Sequence, residues 1–330
     1  MVFNSEENTV TLNFGHRPGG RPTRPLLGFA ALALASAAAL VAGGGSGPAG
    51  AAGQPRVVYG PDNRVEVFNL AGPRATNANA TVALVPSGGI VDNGNGTSRL
   101  VSPTLGTALN LCPGQRFRPQ PTAAFCSGFL ARPNRVVTAG HCVSPGTLAG
   151  TRFVFGYRMR TATQARTTIP NADIYRGVQL VVDRLQGDED FAVVRLDRNV
   201  TGRVPAPIQA ANAVALNTPL YVIGHPSGLP AKLAAGAKVF GNASPFFLSA
   251  NLDTFGGNSG SPVFNANTNR VVGILVRGAP DYRPQGGCNV VNILPNTIGE
   301  EESTRISLVT PFLGPPAPAA SAPPSAALQR

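Results

Sequence analysis

Lysine is almost absent from this sequence: Lys232 and Lys238 are the only two, and charged residues of both signs make up 13% of the 330 positions. Histidine is as rare, with only His16, His141 and His225. No segment keeps the helical period for three turns, which excludes a coiled coil or a helical bundle. There is no CxxC pair and no Cys/His cluster, so no metal site and no cofactor are expected, and no repeat of fixed period marks a solenoid. The net charge of +11 therefore comes from arginine. Those arginines are scattered, without a basic stripe interleaved with aromatics, so no nucleic-acid partner is expected.

What is abundant is turn chemistry. Gly (39) and Pro (31) accompany a hydrophobic content of 43%, and both residues interrupt helices while sitting naturally between strands. Short apolar runs recur at Thr81 to Val85, Cys126 to Leu130, Arg152 to Tyr157, Val178 to Val182, Phe191 to Leu196, Leu220 to Ile223, Phe246 to Leu248 and Val271 to Val276. Strands of this length and spacing match an all-β sandwich or barrel.

The two ends read differently from the middle. Arg17, Arg21 and Arg24 precede an uncharged run from Leu26 to Ala42, and Ala49-Gly50-Ala51 fits a small-x-small cleavage site. Residues 1–51 are thus expected to be a targeting segment and the protein to be secreted or periplasmic. The apolar run falls short of a usual membrane span, so no stable membrane association is expected. From Gly314 to Arg330 the chain is Pro/Ala/Ser, with too little apolar bulk to order itself. Four cysteines follow the leader, Cys112, Cys126, Cys142 and Cys288, and an even count in an exported chain implies disulfides.

Three places carry chemistry. His141 ends a strand in Val136-Val137-Thr138-Ala139-Gly140-His141-Cys142. Asp190 opens the apolar strand Asp190-Phe191-Ala192-Val193-Val194-Arg195-Leu196, where a half-buried acid can hold an imidazole by its Nδ1 proton. Ser259 sits in Gly256-Gly257-Asn258-Ser259-Gly260-Ser261-Pro262-Val263-Phe264. Small residues there let the backbone fold tightly, exposing the hydroxyl and aiming the Gly257 and Ser259 amides at one point, as an oxyanion hole requires. Taken singly, each has a plainer structural reading. His225, in Gly224-His225-Pro226-Ser227-Gly228, reads as a structural histidine in the turn after a strand.

Together, the order His141, Asp190, Ser259 and the motifs TAGHC and GNSGSP resemble the trypsin-like (chymotrypsin-fold) serine peptidases over roughly residues 57 to 313. The stretch GGNSGSPVFN is most similar to the bacterial glutamyl-endopeptidase branch. An α/β-hydrolase is excluded, since its histidine comes last. The resemblance implies two antiparallel six-stranded β-barrels with the site in the cleft between them, the first over about 57–205 and the second over about 206–313. It implies a serine endopeptidase acting on protein or peptide substrates without a cofactor: Ser259 attacks, His141 moves the proton and Asp190 fixes the imidazole. It also implies a histidine-loop disulfide between Cys126 and Cys142, which leaves Cys112 and Cys288 to each other.

The substrate pocket implied by the resemblance is formed by Asp253, Leu275 and Arg277. An aspartate at its base selects Arg or Lys, so cleavage after basic residues is expected. Glutamyl-type specificity is the alternative, since Arg277 lies in a pocket wall, although Leu275-Val276 replaces the histidine and tryptophan of those enzymes. A catalytically idle homologue acting as a binding protein is a second alternative. Animal members carry an aspartate where Asn258 stands here, so the usual activation ion pair is in doubt. The stretch from Val57 to Arg64 resembles the start of mature glutamyl endopeptidases. Cleavage after Arg56 would leave residues 52–56 as a short propeptide of a zymogen.

Overall fold

The computed structural model describes residues 57–210 and 213–315. The expected leader, the 52–56 propeptide with Arg56, and nearly all of the 314–330 tail lie outside the described residues.

Twelve strands form two closed barrels. The first contains β1 (Thr81–Pro86), β2 (Cys126–Arg132), β3 (Arg135–Thr138), β4 (Thr151–Phe155), β5 (Ile174–Gln186) and β6 (Glu189–Leu196). The second contains β7 (Pro219–Gly224), β8 (Lys232–Gly241), β9 (Phe247–Ala250), β10 (Pro262–Asn265), β11 (Arg270–Arg277) and β12 (Glu301–Arg305). Around the first barrel the strands run β1-β2-β3-β6-β5-β4, and around the second β7-β8-β9-β12-β11-β10, every neighbouring pair antiparallel. The two halves therefore share one strand order, and closure leaves neither barrel an open edge.

Alternating side chains fill each barrel. Val82, Leu84, Phe129, Val137, Phe153, Phe155 and Val193 pack in the first, and Val222, Val239, Leu248, Val263, Val272 and Leu275 in the second, all buried. Tyr221, Ile223, Phe264, Ile274 and Val276 extend the first core across the seam, so the barrels meet through apolar surface. Lys232–Gly241 had not stood out as a strand, because Ala and Gly dilute its pattern.

The ends of the domain cross over. Val58–Tyr59 pairs with Ile293–Leu294, and Arg64–Glu66 pairs with Lys232–Ala234 of β8. Residues 57–66 thus lie on the second barrel, a correction to the expectation that the first barrel starts at about 57. Conversely, Phe312 packs on Phe191 of β6, with ring centroids 6.0 Å apart. Buried Lys232 secures the amino-terminal arm: its Nζ donates to Glu66 Oε2 at 2.9 Å, Gln120 Oε1 at 2.8 Å and Pro230 O at 2.8 Å.

Both expected disulfides form, Cys126–Cys142 and Cys112–Cys288. The first ties β2 to the turn carrying His141. The second ties the segment before β2 to the hairpin Tyr282–Gln285/Cys288–Val291 that follows β11.

Candidate active site

β3 ends at Thr138, and one 3-10 turn, Gly140–Cys142, swings His141 into the seam between the barrels. Gly140 has no room for a side chain: a Cβ there would lie 2.2 Å from the Arg184 carbonyl oxygen. Asp190, at the start of β6, faces it. Asp190 Oδ1 accepts the His141 backbone N–H at 3.1 Å, and Oδ2 lies 2.7 Å from His141 Nδ1. A carboxylate only accepts, so Nδ1 carries the imidazole proton and Nε2 is left as an acceptor. Ser259 Oγ is 2.7 Å from that Nε2. The three residues singled out in the sequence, from three separate segments, therefore form one hydrogen-bonded chain. Such a chain can draw a proton from a hydroxyl as it attacks a carbonyl.

The turn that presents Ser259 is shaped by glycine. Gly257 and Gly260 take φ of +89° and +85°. A Cβ on Gly260 would meet Ser127 O at 2.1 Å, and one on Gly257 would meet His225 O at 2.6 Å. Both positions need positive φ and close approach, which only glycine supplies.

Ser127, which had not stood out in the sequence, is what holds this turn against the first barrel. Its Oγ donates to Gly257 O at 2.7 Å and accepts from the His225 N–H at 2.9 Å, while its N–H donates to Ser259 O at 2.8 Å. A serine inside an apolar strand gives no sequence signal of such a role. His225 is buried, places Nδ1 2.9 Å from Leu229 O and stacks on Tyr157 with centroids 5.6 Å apart. Burial holds its pKa down, to about 4, so it stays neutral and structural.

Asn258 is buried beside the turn, where its Oδ1 accepts from Ser261 Oγ at 3.3 Å. Asp281 adds a further hold, its Oδ2 accepting the Gly256 N–H at 2.8 Å.

The expected pocket residues need correction. Asp253 does not present a carboxylate to a substrate. Its Oδ1 accepts the Tyr59 N–H at 2.8 Å and its Oδ2 the Asn63 N–H at 2.7 Å, anchoring the amino-terminal arm. Burial pushes its pKa up, to about 6, partly offset by those two amides. Arg277 does not neutralise it either: its Nε donates to Glu302 Oε2, and its guanidinium reaches the Asp188 carbonyl at 3.3 Å. Leu275 is fully buried in β11. Another carboxylate, Glu301, is buried, accepting from Thr254 Oγ1 and from the Ala279 N–H at 3.2 Å. Within the run Glu300-Glu301-Glu302 nothing in the sequence distinguished it.

With this geometry in view, comparison with known proteins is informative. Residues 126–274 match the family model described as "Trypsin-like peptidase domain". Over that stretch the chain is similar to the trypsin-like serine peptidases. Its two antiparallel six-stranded barrels have the chymotrypsin architecture. Secreted RxLR effector protein 73 of Plasmopara viticola is 26% identical in an alignment of 165 residues that covers 46% of this chain and 40% of that relative's length. A solved Glu endopeptidase in complex with MPD aligns over 77% of this chain and 96% of its own, at 18% identity and TM-score 0.43. The VesB protease of Vibrio cholerae aligns over 76% of this chain and 66% of its own, at 15% identity and TM-score 0.44.

Proposed function

We propose that this chain is a secreted serine endopeptidase that cleaves protein or peptide substrates through an acyl-enzyme intermediate. The observation that carries the reading is the continuous link from Asp190 Oδ2 through His141 to Ser259 Oγ, at 2.7 Å on each side of the imidazole. In this reading Ser259 Oγ attacks the scissile carbonyl while His141 Nε2 takes its proton. The Gly257 and Ser259 amides stabilise the resulting oxyanion. The imidazolium then protonates the leaving amine, and a water repeats the sequence to release the acyl group, with Asp190 holding the ring throughout. No step calls for a metal or an organic cofactor.

Export is supported by the basic and then apolar leader and by two formed disulfides. In the same reading residues 1–51 are removed, 52–56 form a short propeptide, 57–313 are the peptidase domain and the rest is a tail. The arm from Val57 to Asn63, docked on Thr254 and Asp253, supports a mature start near Val57.

Cleavage after Arg or Lys remains the proposed preference on the sequence resemblance alone, since Asp253 and Glu301 are both buried and both accept from internal donors. An acidic preference has less support, because Arg277 is already held by Glu302. Labelling with an organophosphonate serine probe tests the central reading. Wild type is expected to react at Ser259 and to lose nearly all turnover as Ser259→Ala. Failure of the folded, processed protein to label would leave the non-catalytic reading. Matched fluorogenic peptides ending in Arg, Lys or Glu test the preference, and faster cleavage after Glu would reverse it.

A further inference from the structure

The loop that joins β4 to β5 gathers positive charge at one spot. Arg158 and Arg166 belong to this loop, and Arg203 to the segment after β6. Gly156, with φ +76°, lies between two of them: a Cβ there would collide with Arg166 Nη1 and stand 3.4 Å from Arg203 Nη2, so both guanidinium groups crowd one point. Arg158 joins them through Asn79, whose Oδ1 accepts from Arg158 Nη1 at 3.3 Å and whose carbonyl accepts from Arg203 Nη1 at 2.9 Å.

Three positive charges share one negative charge here. Among the described residues Asp173 is the single carboxylate paired with any of them, its Oδ1 2.9 Å from Arg203 Nη2 and its Oδ2 3.4 Å from Arg166 Nη2. The excess continues beside it, where Arg198 donates to Asn171 O and Ala172 O and shares Asp197 with Arg176. The side chains of Arg166 and Arg203 are only 21% and 11% exposed, and like charges drawn partly out of water repel more strongly than at an open surface. Burial, then Arg166 and Arg203, hold the Arg158 guanidinium below its ordinary pKa.

The donors are also underused. A guanidinium offers five N–H groups. Arg158 makes one hydrogen bond, at 3.3 Å, among the described residues; Arg166 reaches Gly156 O at 3.5 Å and Asp173 at 3.4 Å, and Arg203 Nε is buried without a partner. Planar forks with spare N–H groups and a net positive charge match the oxygens of a tetrahedral dianion.

We propose that Arg158, Arg166 and Arg203 form a binding site for a doubly charged oxyanion, a phosphate or sulfate group. The bound group offsets the two charges that Asp173 leaves over and takes up the spare donors of Arg158 and Arg166. The assignment is independent of the chemistry at Ser259.

The test follows thermal unfolding of the folded protein as sodium phosphate or sodium sulfate is added, with ionic strength held constant by sodium chloride. Saturating dianion should raise the wild-type midpoint by about 3 °C or more over chloride. Arg158→Gln should weaken phosphate binding about tenfold or more, because it removes a charged donor. Since it also relieves the crowding, it should unfold in chloride at the wild-type temperature or above it, and in phosphate below wild type. Asp173→Asn should do the reverse, unfolding lower in chloride and gaining more from phosphate. Glycerol 2-phosphate distinguishes the source of the group: a shift equal to that of phosphate assigns the site to a monoester as well, and a shift with the free ions alone assigns it to the free oxyanion. If phosphate and sulfate shift wild type no more than chloride does, or if Arg158→Gln and Arg166→Gln both keep the full shift, the cluster is not an oxyanion site.

Discussion

Ser127→Ala removes one oxygen atom from a fully buried position and tests whether the first barrel positions the Ser259 turn. The hydroxyl makes two bonds, to Gly257 O at 2.7 Å and from the His225 N–H at 2.9 Å. Each is worth about 1 kcal/mol net, and the buried His225 N–H left without its acceptor adds about 1–3 kcal/mol. The expected loss of stability is therefore about 3–5 kcal/mol, measured as a drop in the urea midpoint at unchanged slope. Activity should fall by more than the fraction unfolded accounts for. A Gly257 carbonyl no longer held frees the residue whose own N–H is the proposed oxyanion donor, and a donor displaced by a fraction of an ångström costs on the order of tenfold in kcat. KM should change much less, because the walls that hold the substrate are untouched. A variant losing under about 0.5 kcal/mol, with kcat within twofold of wild type, would refute the reasoning.

Three further outcomes follow from the same structure. His225 has a pKa near 4 in the fold against 6.5 in the open chain. Its burial costs nothing above about pH 6.5; the penalty grows as pH falls and is complete, at about 3 kcal/mol, below pH 4. A His225→Gln variant should lose that part of the acid slope in urea titrations at pH 7 and pH 4. Asp253 has the opposite sign, because its pKa of about 6 in the fold lies above the 3.8 of the open chain. Its contribution is fully present below about pH 4 and is lost as pH rises through 6, again about 3 kcal/mol, so wild type minus Asp253→Asn should show stability declining between pH 4 and pH 8. Finally, a Cys112→Ser, Cys288→Ser double variant opens a bridge spanning 176 positions, and should lose about 3–5 kcal/mol in thermal or urea unfolding.

Much of this molecule was legible in its residues. The turn-rich composition and the short apolar runs pointed to an all-β sandwich or barrel, the family resemblance implied two barrels, and TAGHC, Asp190 and GNSGSP located the three side chains that meet in the cleft. Those signals are local: each needs a particular neighbour in the chain, and so survives in the sequence. Position along the chain misleads at Asp253, which lies six residues before Ser259 where the resemblance implies the pocket base. The structure instead gives both carboxylate oxygens to the Tyr59 and Asn63 amides, partners 194 and 190 positions away. Ser127, Asp281 and Glu301 escaped for the same reason. Their roles are set by which backbone amides and carbonyls of distant segments lie within reach, and no pattern near them in the chain records that. The crossing of residues 57–66 onto the second barrel is likewise a tertiary choice, made where Arg64–Glu66 pairs with Lys232–Ala234 of β8.

The Cys112–Cys288 bridge encloses a stretch of chain that contains His141, Asp190 and Ser259 together. In the proposed reading as an exported peptidase the chain meets other proteases and is exposed to nicking, and exposed turns such as Gly187-Asp188 lie inside that covalent ring. One cut anywhere between the two cysteines opens the ring into a two-chain molecule whose halves stay joined. The site can then outlive the continuity of its own backbone, and the same nicked molecule would run as one band without thiol and as two with it.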